Sequence, residues 1–209
     1  MKFEIQSMVL GVVGTNCYLL INKETKETVI FDPGDDGERI ARYIEREGLK
    51  PQAILLTHGH FDHMMGVLAL TGVYPVPVYI HEAEADVLES PELNACSMIG
   101  AKISLKADRL VKDGEELLLA GAKIRVLHTP GHTKGGASYY IEDFRVVICG
   151  DTLFEGSVGR TDLPTGSMGT LVRSIREKLF VLDDDVTALP GHGGSTTIGF
   201  EKQHNPFIS

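Results

Sequence analysis

The sequence contains no tryptophan and only three cysteines among its 209 residues. Cys17, Cys96 and Cys149 are odd in number, and their spacing does not match that of a metal site. We therefore interpret them as small buried apolar residues rather than as nucleophiles. With this cysteine usage, the cytoplasm is the expected location.

Positive charge and long apolar runs are also scarce. There are 20 Lys and Arg residues against 29 Asp and Glu residues, and the net charge of −9 argues against sequence-independent nucleic-acid binding. No apolar stretch approaches the roughly 18 residues of a membrane helix, and residues 1–6 alternate like a strand instead of forming a signal peptide. We therefore expect neither a nucleic-acid nor a membrane partner. A chain that is 43% hydrophobic fits a single domain over residues 1–209.

Apolar periodicity predicts two similar halves, each with a meander followed by a helix. The predicted strands are 3–10, 17–21, 28–31, 52–56, 76–80, 117–119, 123–127, 137–141, 146–149 and 186–189. The predicted helices are 38–47, 81–89 and 171–182. Residues 90–110 have no clear pattern and are expected to form a long excursion over the site. The repeated arrangement predicts an α/β fold with two sheets face to face, a four-layer αββα sandwich.

The most informative stretch is Thr-His-Gly-His-Phe-Asp-His at residues 57–63, which holds three of the chain's eight histidines. An apolar strand pattern precedes it, and residues 64–70 have the pattern of a helix start. Three imidazoles and a carboxylate in one turn cannot all find ordinary buried partners, whereas a divalent cation would pair with them. Histidine nitrogens and carboxylate oxygens are ligands that zinc, iron and manganese accept.

The spacing within this turn favours two ions over one. His58 and His60 are two residues apart, so an extended backbone points both side chains the same way. Asp62 and His63 are adjacent and follow the point where the chain turns, so they can face a second ion. Each half-site then needs further ligands from elsewhere in the chain.

Two strands end in the same tripeptide, Pro-Gly-His, at residues 130–132 and 190–192. Proline ends the strand ladder and glycine permits a sharp turn, so the histidine is presented at the sheet edge. Asp151 ends a third strand similarly, and its two oxygens could bridge two cations. The predicted ligand set is His58, His60 and His132 on one ion, Asp62, His63 and His192 on the other, and Asp151 between them.

Two divalent ions, two aspartates and a hydroxide would leave this site positive within an acidic protein, which suits an anionic substrate. Asp32 follows a buried strand, and its carboxylate either orients a ligand imidazole or forms a Pro-Gly turn. His81, His128 and His204 fall outside the ligand set and are interpreted as structural.

Together these residues resemble the metallo-β-lactamase superfamily, from Thr15 to the carboxyl terminus. The His-x-His-x-Asp-His turn, followed in order by His, Asp and His, is highly specific, and it implies the αββα sandwich with metal ions at one sheet edge. Within the superfamily the chain is similar to the glyoxalase II group. The β-lactam-cleaving zinc enzymes usually have a cysteine where Asp151 stands, and residues 158–164 look like the short bacterial branch of that group. Because only 17 residues follow His192, no helical glutathione-binding domain is expected.

The resemblance implies a thioesterase that cleaves S-acyl thiols such as S-lactoylglutathione. Two metal ions, with zinc expected and iron or manganese as alternatives, would lower the pKa of a bridging water and supply hydroxide near neutral pH. Asp62 and Asp151 are the expected catalytic residues, since Asp62 can orient the hydroxide and Asp151 can bridge the ions. Arg160 is the candidate for holding a substrate carboxylate, and an exposed or salt-bridged loop arginine is the alternative.

Three other functions stay open. A mononuclear iron persulfide dioxygenase, an oxidoreductase, shares the Gly-Arg-Thr-Asp stretch at residues 159–162 and a closely similar ligand motif. Hydrolysis of a lactone, another ester or a β-lactam is the second, with β-lactams expected to be poor substrates. A metal-binding or interaction module with a degraded site is the third, and the seven filled ligand positions disfavour it.

Overall fold

Two six-stranded sheets form the centre of the computed structural model, which describes residues 2–208. The first sheet contains β1 (Phe3–Leu10), β2 (Thr15–Asn22), β3 (Glu27–Phe31), β4 (Lys50–Leu55), β5 (Val78–His81) and β6 (Arg109–Val111), in that spatial order. Strands β1 to β3 form the predicted antiparallel meander. The neighbours from β3 to β6 pair in parallel.

The second sheet is built from the later part of the chain. Its strands are β7 (Glu116–Leu119), β8 (Ala122–His128), β9 (Ala137–Ile141), β10 (Val146–Gly150), β13 (Thr187–Pro190) and β14 (Thr196–Thr197). They lie in the order β14-β13-β10-β9-β8-β7, and only β10 and β13 pair in parallel. A small separate hairpin of β11 (Leu153–Phe154) and β12 (Ser157–Val158) follows β10.

The helices are short. They are α1 (Gly37–Glu47), α2 (Phe61–Met64), α3 (Val67–Val73), α4 (Ala85–Glu89), α5 (Met168–Ser174) and α6 (Ile198–His204). Among residues 2–208, no helix combines the length and the apolar character that crossing a membrane requires.

Apolar side chains separate these elements into four layers. Between the sheets, Phe31 of β3 meets Tyr139 of β9 with ring centroids 5.6 Å apart, and neighbouring buried side chains of both sheets join them. Ile40 of α1 and Leu70 of α3 are buried against the outer face of the first sheet. Leu171 of α5 is buried in the corresponding cluster outside the second sheet. The structure therefore confirms the predicted αββα sandwich.

The segment predicted to start one helix at residue 64 forms two short helices, α2 from Phe61 and α3 from Val67, and Asp62 and His63 lie within the first of them rather than before it. His60 is extended, with φ −67° and ψ 149°, and it directly precedes the helix. The Phe61 amide donates to Asn94 O at 2.9 Å, and the Met65 amide donates to Phe61 O at 3.1 Å. Because the loop containing Asn94 satisfies the first amide of the helix, the chain can turn immediately after His60.

Other boundaries also differ from the predictions. The strand predicted over 76–80 starts at Val78, because Pro75 and Pro77 have no amide hydrogen to donate to a ladder. The predicted 81–89 helix is a 3-10 turn, Glu82–Glu84, followed by α4. The predicted 171–182 helix begins earlier, at α5, and widens into a π-helical turn over Ile175–Leu179. The irregular 90–110 segment contains one 3-10 turn, Cys96–Ile99.

Candidate metal centre

All seven predicted ligands lie just beyond the carboxyl ends of strands. His58 and His60 follow β4, and Asp62 and His63 occupy the first turn of α2. The other three come from the second sheet: His132 follows β8, Asp151 follows β10 and His192 follows β13. These strand ends meet at one edge of the sandwich, so residues distant in sequence converge there.

The converging side chains form three overlapping groups in which the possible ligand atoms lie within 4.8 Å of one another. The groups are His58, His60 and His132; His58, His63 and Asp151; and Asp62, His63 and His192. The first and third groups are the two half-sites expected from the sequence. Asp151 lies between them, because its Oδ2 is 3.6 Å from both His132 Nε2 and His192 Nε2.

Several buried polar atoms at this centre have no hydrogen-bond partner among the described residues. They are His58 Nε2, His60 Nε2, His63 Nε2 and Asp151 Oδ1, of which the last two lie 3.3 Å apart as an ion pair. Leaving such groups unpaired in a protein interior costs free energy, and cations bound in the neighbouring ligand groups would satisfy all four. Their nitrogen and oxygen donors fit zinc, iron and manganese alike. The cluster is suited to a dinuclear metal site.

Asp32 holds His63 in place from behind. Its Oδ2 lies 3.0 Å from His63 Nδ1, and its carboxylate also accepts from the Thr57 amide at 2.7 Å and the Thr57 hydroxyl at 2.6 Å. Asp32 has a left-handed φ of 46°, a conformation that non-glycine residues adopt at a cost. Of the two roles considered for Asp32, its position fits that of orienting a ligand imidazole, with Nε2 of His63 left facing the centre.

The first sheet also fixes the loop that carries His192, a ligand from the second sheet. The Asn16 side chain donates to Pro190 O and Gly193 O at 3.0 Å each, and the Tyr18 hydroxyl donates to Pro190 O at 2.7 Å. Nearby, the Thr15 hydroxyl donates to Asp62 Oδ2 at 3.1 Å. Strand β2 therefore holds two parts of the third ligand group, the Asp62 side chain and the loop that carries His192.

Gly191 is packed against two of the ligands. A Cβ atom added there would lie 2.2 Å from Asp151 Oδ1 and 2.6 Å from the His63 ring. The glycine of this Pro-Gly-His tripeptide is thus required by its close approach to two predicted ligands.

The electrostatics of the centre divide the histidines into two kinds. Burial, together with the neighbouring imidazoles, lowers the pKa of His58 and lowers that of His60 to about 3. Burial alone would also lower the pKa of His63, but the carboxylates of Asp62, Asp151 and Asp32 raise it well above its usual value. His58 and His60 are therefore neutral at pH 7 and have lone pairs to offer a cation, whereas the carboxylates around His63 favour positive charge there.

A cavity of about 680 Å³ opens above these ligands. Apolar side chains, including Val13, Phe61, Ile99 and Phe154, form much of its lining. A second, smaller cavity of about 180 Å³ shares Val13, Phe61, Asp62 and Ile99 with it. Val13 and Ile99 are exposed although both are large and apolar, so they form a hydrophobic rim beside the metal centre.

Arg160 lines the larger cavity but already has a partner. Its Nε and Nη2 donate to the two oxygens of Asp162 at 2.7 and 2.8 Å, and the side chain is exposed. This arrangement matches the alternative of a salt-bridged loop arginine, and binding of a substrate carboxylate by Arg160 stays a prediction. The backbone of Arg160 contributes directly to the site, because its carbonyl lies 2.7 Å from His132 Nδ1.

Sequence reasoning missed one buried acidic residue beside the centre. Glu84 was placed only within a predicted polar helix, yet it is fully buried and bonded to Gly59 and Gly135. Burial raises the pKa of Glu84 to about 7. No signal in the sequence distinguishes it from its neighbours Glu82 and Asp86, because its partners are backbone amides remote in the chain.

The αββα fold and the histidine and aspartate cluster at its edge define the class of protein as a metal-dependent hydrolase. A family model described as the metallo-beta-lactamase superfamily matches residues 10–192, a span that includes every predicted ligand. The chain therefore belongs to the metallo-β-lactamase superfamily, as the resemblance predicted.

Individual proteins resemble the chain over nearly its full length. The probable metallo-hydrolase YqgX of Bacillus subtilis is 41% identical over 204 residues, which are 97% of this chain and 96% of that protein. The hydroxyacylglutathione hydrolase GloC of Haemophilus influenzae is 39% identical over 197 residues, covering 93% of this chain and 92% of that protein.

Two crystal structures also match closely. BLEG-1 B3 metallo-beta-lactamase has a TM-score of 0.94 at 42% identity, covering 99% of this chain and 100% of that one. TTHA1623 in a di-iron-bound form has a TM-score of 0.87 at 37% identity, covering 97% and 99%.

Proposed function

We propose that this protein hydrolyses S-acyl thiols, such as S-lactoylglutathione, at a dinuclear metal centre. The observation that carries the proposal is the pair of ligand groups joined by Asp151 beneath an open cavity. The similarity to the hydroxyacylglutathione hydrolase GloC supports the thioester as substrate class.

The side chains present fit the reaction. His58, His60 and His132 would hold one ion, Asp62, His63 and His192 the other, and Asp151 would bridge them. When bound, the ions supply a hydroxide from water near neutral pH and stabilise the oxyanion. Asp62, whose carboxylate accepts a hydrogen bond from the Thr15 hydroxyl, would orient that hydroxide. Asp32 keeps the His63 ring in position throughout.

The lining of the cavity favours a substrate whose leaving group can depart without receiving a proton. Apart from the predicted ligands, its described lining has one titratable side chain, that of Arg160. A thiol with a pKa of about 8.5 departs readily as thiolate, whereas an alcohol or amine requires a proton donor. This chemistry supports thioesters over esters and amides.

We further propose zinc as the resident metal, with iron and manganese as alternatives. The di-iron form of TTHA1623 supports iron in particular. The partner proposed is a small anionic thioester, because the occupied centre would carry a net positive charge. A cytoplasmic location fits the three free, buried cysteines.

β-Lactam hydrolysis is a second candidate, because BLEG-1 B3 metallo-beta-lactamase is 42% identical to this chain. The leaving-group argument makes it a weaker reaction here, since a lactam nitrogen needs a proton when it departs.

The test is a substrate panel on freshly purified protein whose metals have been measured by elemental analysis. The panel contains S-lactoylglutathione, simpler acyl thiols, lactones, a β-lactam and glutathione persulfide with oxygen consumption recorded. We expect the largest kcat/KM for a thioester, and we expect Asp151→Asn to lose both metal and turnover. Two results would overturn the proposal. One is oxygen uptake with glutathione persulfide, and the other is β-lactam cleavage, in either case with no turnover of thioesters.

A further inference from the structure

Glu84 lies at the end of the Glu82–Glu84 turn, between β5 and α4, and is fully buried. Both of its carboxylate oxygens are used. Oε1 accepts from the Gly59 amide at 2.9 Å, and Oε2 accepts from the Gly135 amide at 2.7 Å. One carboxylate therefore bridges two backbone segments that are far apart in the sequence.

Those two segments carry the three-histidine group. Gly59 lies between His58 and His60 in the loop after β4, and Gly135 follows His132 in the loop between β8 and β9. The loops come from different sheets. Glu84 thus connects the ligands of the first sheet to the ligand of the second.

Both glycines are fitted tightly to the segment that contains Glu84. A Cβ atom on Gly135 would lie 2.3 Å from the Glu84 amide nitrogen, and one on Gly59 would lie 2.9 Å from the Leu88 amide nitrogen. Backbone meets backbone at both contacts, so the loops have little room to shift. A carboxyl group offers two acceptor oxygens, so this one side chain can hold two amides at once.

We propose that Glu84 is a positioning residue that holds His58 and His60 against His132 and thereby sets the metal affinity of the three-histidine group. Across this group, His60 Nδ1 lies 2.9 Å from His132 Nε2, so a small shift between the loops changes the ligand geometry. Glu84 itself belongs to none of the three ligand groups and does not line the cavity above them. The inference rests on the metal centre of the proposed function, but not on the identity of the substrate.

Glu201 provides a matched control. It too is buried, and its carboxylate accepts from the Gly156 amide at 3.1 Å, the Thr196 hydroxyl at 2.6 Å and the Asn205 amide group at 2.7 Å. None of these partners belongs to the loops that carry His58, His60 and His132. Glu201→Gln therefore reports what loss of a buried carboxylate does to the fold in general.

The experiment titrates metal-free wild type, Glu84→Gln and Glu201→Gln with Zn²⁺ against a chromophoric chelator and fits two dissociation constants. A His132→Ala variant shows which constant belongs to the three-histidine group. In Glu84→Gln an NH₂ group replaces one acceptor oxygen, so one loop loses its hydrogen bond. We expect the constant of that group to weaken by about 10- to 100-fold, while the other changes by less than about threefold.

Glu201→Gln is expected to leave both constants within about threefold of wild type, even if its unfolding temperature falls. Glu84→Asp is a second variant in case Glu84→Gln does not fold. Its side chain is one methylene shorter and cannot reach both amides, so the same selective weakening is expected. Unchanged constants in a folded Glu84 variant, or equal weakening of both, would overturn the proposal. Selective weakening in a protein inert towards thioesters would instead support the positioning role and refute the proposed function.

Discussion

At the scale of single residues, the centre depends on contacts that leave no spare volume. Gly191 lies against His63, which belongs to the third ligand group, and against Asp151, which lies between that group and the three-histidine group. A side chain at this position must displace a ligand, because the backbone of the loop is itself bonded to Gly150 and Asn16. This contact gives a direct test of the geometry.

Gly191→Ala is expected to reduce bound metal and to lower kcat/KM by about 100-fold, since displacement of a reacting group by about 1 Å has that effect. The measurement combines elemental analysis with a thioester assay. Gly72→Ala is the control: it lies in α3 with no heavy atom within 4 Å of the added Cβ, and it should raise stability by up to about 1 kcal/mol. Wild-type metal content and turnover in Gly191→Ala would contradict the structure.

The raised pKa of Glu84 predicts a pH-dependent contribution to stability. Below the ordinary value of 4.5, folded and unfolded chains both hold the proton, so the contribution is fully present. As the pH rises towards the folded value of about 7, the unfolded chain ionises first, and the free energy of unfolding falls by about 3 kcal/mol. Urea unfolding of metal-free wild type and Glu84→Gln, at about pH 5 and about pH 8, measures this effect. The free energy of unfolding should fall more between these pH values in wild type than in Glu84→Gln. Parallel losses would show that Glu84 ionises normally in the folded protein.

At the scale of elements, the turn between β1 and β2 and the Cys96–Ile99 turn form the hydrophobic rim of the cavity. Val13 comes from the first and Ile99 from the second, and both side chains also border the smaller cavity. The charged side chains lining that smaller cavity are Asp35 and Asp62, so it suits a neutral apolar group rather than an anionic one. The rim is therefore placed to contact an apolar part of the substrate, which in the proposed reaction is the acyl group of a thioester.

We expect kcat/KM of the wild type to rise with acyl chain length by about fourfold per methylene that becomes buried, which corresponds to about 0.8 kcal/mol. Val13→Ser and Ile99→Ser should flatten this rise without changing the rate for the shortest acyl group. Val181→Ser is the control, because Val181 is also an exposed apolar residue but lines neither cavity. A chain-length dependence that is absent in wild type, or unaltered in both rim variants, would refute a role for the rim.

The elements also show which features the sequence could predict. The meander, the αββα layers and the two Pro-Gly-His turns were predictable because alternation and turn residues act locally. The start of α2 was not, because the amide of Phe61 is satisfied by Asn94, more than thirty residues away. The role of Glu84 was hidden for the same reason, since its partners are backbone amides that any residue could supply. The bond between Arg160 and Asp162 joins residues close in sequence. The sequence alone could not show whether Arg160 pairs with such a neighbour or binds a substrate carboxylate.

At the scale of the whole molecule, the metal centre joins the two halves of the sandwich. His58, His60, Asp62 and His63 come from the half built on the first sheet, and the remaining ligands come from the second. Metal bound here stabilises the folded state, because the unfolded chain does not hold these side chains together.

Removal of metal is therefore expected to lower the unfolding temperature. At a free metal concentration 100 times the dissociation constant, one site contributes about 2.7 kcal/mol, which corresponds to roughly 5–10 °C for a chain of this size. Calorimetry of metal-loaded and chelator-treated protein measures the shift. Asp151→Asn, whose bridge is weakened, should show a smaller shift, and an equal unfolding temperature with and without measured metal would contradict this view.

The two halves meet in sequence at the short connection between β6 and β7, and neither half contains a full set of ligands. In a molecule whose two sheets pack out of alignment, the four ligands of the first half would lie apart from His132, Asp151 and His192 of the second half. At saturating metal, the stoichiometry of bound metal is consequently a count of correctly assembled molecules, and it can be measured without knowing any substrate.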